Sequence, residues 1–200
     1  MLADRQFHLQ LLVILAVTAA AILARPQQTP ARLNDYKIVV FKADQILDLY
    51  RGNRLVKRYK VCLGVGPAGP KEITGDSKTP EGDYFICYKT ESSKFCRFLG
   101  ISYPGSEDAE HAFETGRISR NDRDRIISTA KNGNTPPWNT ILGGWVGIHG
   151  YPTDEYKKMW TVLMYPKPHN WTDGCIAMWD FEIEELFSLV EIGTPVHIRP

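Results

Sequence analysis

Neither sign of charge dominates this 200-residue chain: 24 Lys and Arg stand against 23 Asp and Glu, a formal net charge of +1. So even a balance excludes nucleic-acid binding through bulk charge. Cysteine is scarce, with four residues, and no Cys-x-x-Cys pair occurs. The spacing of Cys62, Cys87, Cys96 and Cys175 matches no common zinc pattern, so no metal is implied. Internal repeats and low-complexity tracts are missing as well. At 43% hydrophobic, 24% charged and 11% aromatic residues, the composition excludes wholesale disorder, collagen-like repeats and coiled coil. The length suits one domain, or one domain with a targeting segment.

A long apolar run is found only at the amino terminus. Leu9 to Ala24 is apolar except for Gln10 and Thr18, yet shorter than the ~20 residues of a membrane span. Arg5 precedes it, and Ala19, Ala21 and Ala24 are small residues suited to cleavage. Residues 1–24 read as a signal peptide or as a retained membrane anchor, and 25–34, with Pro26 and Pro30, as a polar linker. On either reading residues 35–200 work outside the cytoplasm, in the periplasm or cell envelope. If one cysteine is a working thiol, three remain, and at most one disulfide can form among them.

From Tyr36 the pattern is strand-like. Tyr36–Phe41, Gln45–Tyr50 and Leu55–Val65 are rich in β-branched and aromatic residues, with a hairpin signal at Arg51-Gly52-Asn53-Arg54. Gly64–Gly75, with Pro67 and Pro70, reads as loop, and Gly82–Tyr88 and Arg97–Tyr103 as further strands. Two short helices follow. One covers Glu107–Thr115; the other is capped by Ser119 with Asp122 and stopped by Gly133. Trp145–His149 reads as a strand. Asp180 is placed to cap a helix carrying Ile183, Leu186, Phe187 and Val190, and Pro195–Arg199 forms a last strand.

Two stretches carry chemistry. Gly147-Ile148-His149-Gly150 sets a histidine at a strand end, and Thr172-Asp173-Gly174-Cys175-Ile176-Ala177-Met178 sets a cysteine after a glycine turn, just before a helix. A thiol is mostly protonated at neutral pH, so nucleophilic use needs a base or cation; His149 and nearby helix amides are expected to favour the Cys175 thiolate. The glycine before Cys175 lets backbone amides approach a substrate carbonyl. From spacing alone, an inert buried cysteine remains the commoner case.

Wider context narrows the choice. Ser77 to Phe85, Gly147 to Gly150, Thr172 to Met178 and Gly193-Thr194-Pro195-Val196 together resemble, in order and context, the L,D-transpeptidase catalytic domain family of the YkuD type. The resemblance covers roughly residues 35 to 200 and implies a single, mainly β domain with small helices, a sandwich or barrel. It implies a nucleophile at Cys175, a base at His149, a Gly150 carbonyl orienting the ring, oxyanion contacts from the Gly174 and Cys175 amides, and substrate contacts at Thr172 and Asp173. The chemistry implied is cysteine-dependent L,D-transpeptidation of peptidoglycan stem peptides through a thioester, with no cofactor and no oligomer. Three features depart from the family pattern: Asp173 stands where His is usual, Ala177 where Arg is frequent, and the stretch from His149 to Thr172 is longer. The Thr-Asp-Gly-Cys-Ile-Ala-Met variant resembles a murein L,D-transpeptidase subgroup whose relatives include hydrolases that release peptidoglycan-linked protein. Hydrolysis of stem-peptide or protein–peptidoglycan links is therefore the alternative, and a non-catalytic wall-binding module the third.

Other candidates read more simply. His111, His169 and His197 are structural or exposed, the arginines at 117, 120, 123 and 125 form a solvated face, and Glu182, Glu184 and Glu185 suit the first turns of a helix. All five tryptophans fall at 138, 145, 160, 171 and 179; most are expected in the core, the rest along a groove near Cys175.

Overall fold

Strand β1 (Tyr36–Phe41) buries Ile38 and Val40 on one face, as its alternating sequence dictates, and β2 (Ile46–Arg51) answers with Leu47 and Leu49. These coordinates are a computed structural model describing residues 35–91, 93–164 and 169–200. The expected targeting segment 1–24 and linker 25–34 lie outside the described residues. No helix among the described residues is long and apolar enough to cross a membrane.

The remaining strands are β3 (Arg54–Lys60), β4 (Gly82–Thr90), β5 (Phe98–Ile101), β6 (Gly147–His149), β7 (Ile176–Ala177) and β8 (Pro195–Arg199). They form one sheet in the order β3-β2-β1-β8-β4-β5-β6-β7. Most neighbours are antiparallel; β1 with β8 and β6 with β7 are parallel. The sheet curls until its ends meet: just past β3, Cys62 and Ala177 exchange both backbone bonds at 2.8 Å, and Gly64 bridges Thr172. The result is a single-domain curled sheet with small helices, as expected.

Four helices lie among the described residues: α1 (Ser106–Glu114), α2 (Arg120–Lys131), α3 (Glu155–Met164) and α4 (Asp180–Leu189). Ser119 caps α2, its hydroxyl accepting the Asp122 amide at 3.1 Å. Helix α4 lays Ile183, Leu186 and Phe187 on the sheet core of Ile86, Leu99, Ile148, Ile176 and Val196. A second apolar cluster holds α1 to α2 through Ala109, Ala112, Ile118, Ile126 and Leu142.

Three sequence expectations are corrected. Helix α3 was not expected at all; Asp154 starts it by accepting the Lys157 amide at 2.8 Å. The strand expected from Trp145 begins at Gly147, because Trp145 sits at φ +56°, outside the range of an extended strand. The cap of α4 is Trp179, not Asp180; the Asp180 carboxylate instead accepts the Tyr151 amide at 2.8 Å and pairs with Lys158 of α3.

Candidate active site

In the parallel β6–β7 ladder Ile148 faces Ile176 and His149 faces Ala177. Cys175, one residue before β7, therefore falls opposite Gly147 and shares a sheet face with His149, since side chains alternate with period two. Both open into one cavity of about 950 Å³. The Cys175 thiol donates to the Trp145 carbonyl at 3.6 Å.

Aromatic rings surround His149, which is 1% exposed. Phe95 stacks on it with centroids 3.9 Å apart and planes inclined by 19°, and Trp171 meets it edge-on at 5.8 Å. Nδ1 lies 2.7 Å from the Gly150 carbonyl oxygen. A carbonyl only accepts, so this bond assigns the proton to Nδ1 and leaves the Nε2 lone pair for the cavity. Burial holds the imidazole down to a pKa of about 4; the bond to Gly150 opposes the shift and the Lys94 charge adds to it.

Burial likewise pushes the Cys175 thiol up to about 11, against the opposing pull of the Gly147 amide and of Lys94. Both shifts favour the neutral forms and run against the expected thiolate. Part of the reason is topological. Cys175 precedes a short strand rather than a helix, and α4 begins only at Asp180, so no helix amides reach the sulfur.

The turn before Cys175 is tied by Thr172, whose hydroxyl donates to the Cys175 carbonyl at 2.7 Å and accepts the Gly174 amide at 3.2 Å. Gly174 has φ +126°, and a Cβ there would lie 2.6 Å from the Lys78 carbonyl oxygen, so only glycine fits. Asp173 is exposed at the cavity edge, where the Ser77 hydroxyl donates to it at 3.4 Å. At Gly150 a Cβ would fall 2.6 Å from Asp180 Oδ1, and its absence lets α4 close behind His149.

Trp138, Trp145 and Trp171 line the cavity, with Trp138 and Trp145 4.2 Å apart and Trp145 60% exposed. Trp179 packs on Tyr151 instead, and the Trp160 side chain lies outside the described residues. His197 pairs with Asp83 on the sheet at 2.7 Å, and the other lone histidines also stay away from the cavity. No disulfide joins the four cysteines, and Cys62 and Cys87 are buried. Sequence reasoning missed Lys71, Lys94 and Phe95. They sit in irregular loops with neither periodicity nor motif, so only the folded arrangement brings them to His149 and Cys175.

The sequence profile of the L,D-transpeptidase catalytic domain (YkuD) matches residues 35–198. The YafK protein of Escherichia coli (strain K12) is 31% identical over 121 residues, covering 53% of this chain and 49% of that protein. The chain thus spans about half the length of the curated relatives it matches. Among solved structures, the helical cell shape determining protein Pgp2 of Campylobacter jejuni, as its K307A mutant, superposes with a TM-score of 0.54 at 22% identity, covering 83% of this chain and 47% of that one. The unmutated Pgp2 gives 0.52 at 21%, covering 82% and 47%. At such identity the likeness concerns the fold.

Proposed function

The chain belongs to the L,D-transpeptidase catalytic domain family, and from that premise we propose that it is a cysteine-dependent acyltransferase acting on peptidoglycan stem peptides in the cell envelope. The observation that carries the proposal is the placing of Cys175 and a neutral His149 on one face of adjoining strands, at one cavity of about 950 Å³. That volume takes a peptide.

The reaction runs in two halves. Nε2 of His149 takes the thiol proton as Cys175 Sγ attacks the carbonyl of the donor's third residue. The tetrahedral oxyanion lies at the Gly174–Cys175 turn, where the Gly174 amide exchanges its longer bond to Thr172 for the oxyanion. The C–N bond breaks, and the departing amine carries off the proton from His149, leaving a thioester on Cys175. An acceptor amine then gives its proton to His149, attacks the thioester and releases the thiol. Asp173, a carboxylate beside the nucleophile, attracts the amine that enters or leaves. Ala177 adds no charge, so this variant of the motif favours amine recognition near Cys175.

Hydrolysis is the second reading, favoured by the partial exposure of Cys175, which leaves water a path to the thioester. Incubation with a disaccharide-tetrapeptide, with and without a second stem peptide, separates the two. A cross-linked dimer formed with loss of the terminal D-alanine is the expected product. Release of D-alanine or of a linked peptide, with no dimer at any acceptor concentration, would establish hydrolysis instead.

A further inference from the structure

Lys71, in the cavity wall, forms a buried ion pair with Asp76. Their side chains are 5% and 12% exposed, and the ammonium donates to Asp76 Oδ1 at 2.7 Å and to the Ile73 carbonyl at 3.0 Å. The Asp76 carboxylate is used more heavily. Besides Lys71 it accepts the amides of Glu72, Ile73 and Lys78, at 2.8, 3.1 and 3.1 Å. Burial opposes its charge, but these donors together hold the carboxyl below the usual carboxylate range. A buried pair is a weak source of stability, because desolvation offsets the attraction. Here every one of its hydrogen bonds closes on a single loop, residues 71–78.

That loop packs on the nucleophile's turn. Between Asp76 and Lys78, Ser77 sits at φ +52°, a strained conformation for a residue with a side chain. Strain of this kind persists only where the surroundings impose it, and the Asp76 carboxylate spans it by accepting the Lys78 amide. The Ser77 carbonyl accepts the Gly66 amide at 2.8 Å, and a Cβ on Gly64 would lie 2.1 Å from the same oxygen. The Lys78 carbonyl oxygen lies 2.6 Å from the point a Cβ on Gly174 would occupy, and the Lys71 ammonium 4.0 Å from that point. The backbone of residues 77 and 78 therefore meets the backbones of Gly64 and Gly174 with no side chain between them.

We propose that Lys71 is a positioning residue for the acyl transfer: locked to Asp76, it holds the 76–78 backbone against Gly174 and so keeps the Gly174 and Cys175 amides aimed at the oxyanion. This rests on the acyl-transfer reading and deepens it. The path runs from Lys71 to Asp76, through Lys78, to Gly174. In this role Lys71 touches neither the substrate nor the sulfur. Its charge acts on the Cys175 thiol less strongly than the Gly147 amide or Lys94 does. Oxyanion donors help only where a carbonyl becomes tetrahedral. A displaced amide therefore slows acylation and leaves simple alkylation of the sulfur as it was.

Lys71→Met removes the ammonium and keeps much of the side-chain bulk. Two reactions of Cys175 test it against the wild type: turnover of a tetrapeptide donor, and alkylation by iodoacetamide, a displacement at saturated carbon that forms no oxyanion. Loss of one oxyanion donor costs about a hundredfold in kcat, and Lys71→Met should approach that loss. KM and the alkylation rate of Cys175 should stay close to wild type. Asp76→Asn keeps one acceptor oxygen and should show the same split with a loss of about tenfold; it decides the matter if Lys71→Met does not fold. Folded variants with wild-type kcat would overturn the proposal. So would a rise in KM at constant kcat, which marks a substrate contact, or equal slowing of acylation and alkylation, which marks an effect on the sulfur itself. Wild-type protein whose Cys175 is alkylated but is acylated by no tetrapeptide donor would sink the acyl-transfer reading and this proposal with it.

Discussion

His149 and its immediate neighbours decide how the site responds to pH. Ordinary histidine titrates near ~6.5, whereas burial under Phe95 and Trp171 brings His149 down to about 4. An imidazole that stays neutral remains a competent base, so kcat/KM should be level from pH 8 to pH 5 and fall only as about 4 is approached. Loss of half the activity near pH 6.5 would mean that water reaches the ring in solution. The same burial acts on stability with a definite sign. The unfolded chain takes up this proton near ~6.5 and the folded one only near 4, so stability falls as pH drops through that window. A resting thiol raised to about 11 fits this scheme. Cys175 need not be ionised beforehand, because His149 removes its proton during attack.

Among the elements, α3 and α4 meet behind the site through Asp180. Its carboxylate accepts the Tyr151 amide and pairs with Lys158, so one side chain joins both helices to the end of β6. Asp180→Ala should cost about 1–3 kcal/mol and lower kcat/KM too, since Gly150, next to Tyr151, supplies the carbonyl that orients His149. Asp180→Asn keeps an acceptor for the amide and should lose less. Thermal unfolding with parallel kinetics checks this, and a wild-type melting temperature in Asp180→Ala would count against the tie. The sequence was clearest where one face of an element is buried. Tyr36–Phe41 and Pro195–Arg199 match their strands residue for residue, and the Ile183, Leu186, Phe187 stripe of α4 packs as its spacing requires. Asp180 itself misled, because an acidic residue at a helix start signals a cap, whereas here a tertiary contact claims the carboxylate. Asp154 carried a real cap signal for α3, and Tyr156, Met159, Trp160, Leu163 and Met164 after it recur at helical spacing, so this helix was legible in the sequence and was overlooked.

Across the whole molecule, the nucleophile sits at the seam where the curled sheet closes. Cys62 and Gly64, which follow β3 at one end of the strand order, bridge Ala177 and Thr172 at the other. Closure of this kind joins residues more than a hundred positions apart, and no local pattern encodes it. The motifs around His149 and Cys175 were legible because their glycines and order are distinctive; the loops that bring Lys71, Lys94 and Phe95 into the same cavity were not. The central claim is that Cys175 carries the acyl group. Intact-protein mass spectrometry after mixing with a tetrapeptide donor in the absence of acceptor measures this directly. The wild type should gain the mass of the acyl tripeptide, as an adduct that hydroxylamine removes and that Cys175→Ala never forms. Turnover of the donor by Cys175→Ala, or an adduct mapping to another residue, would contradict the account.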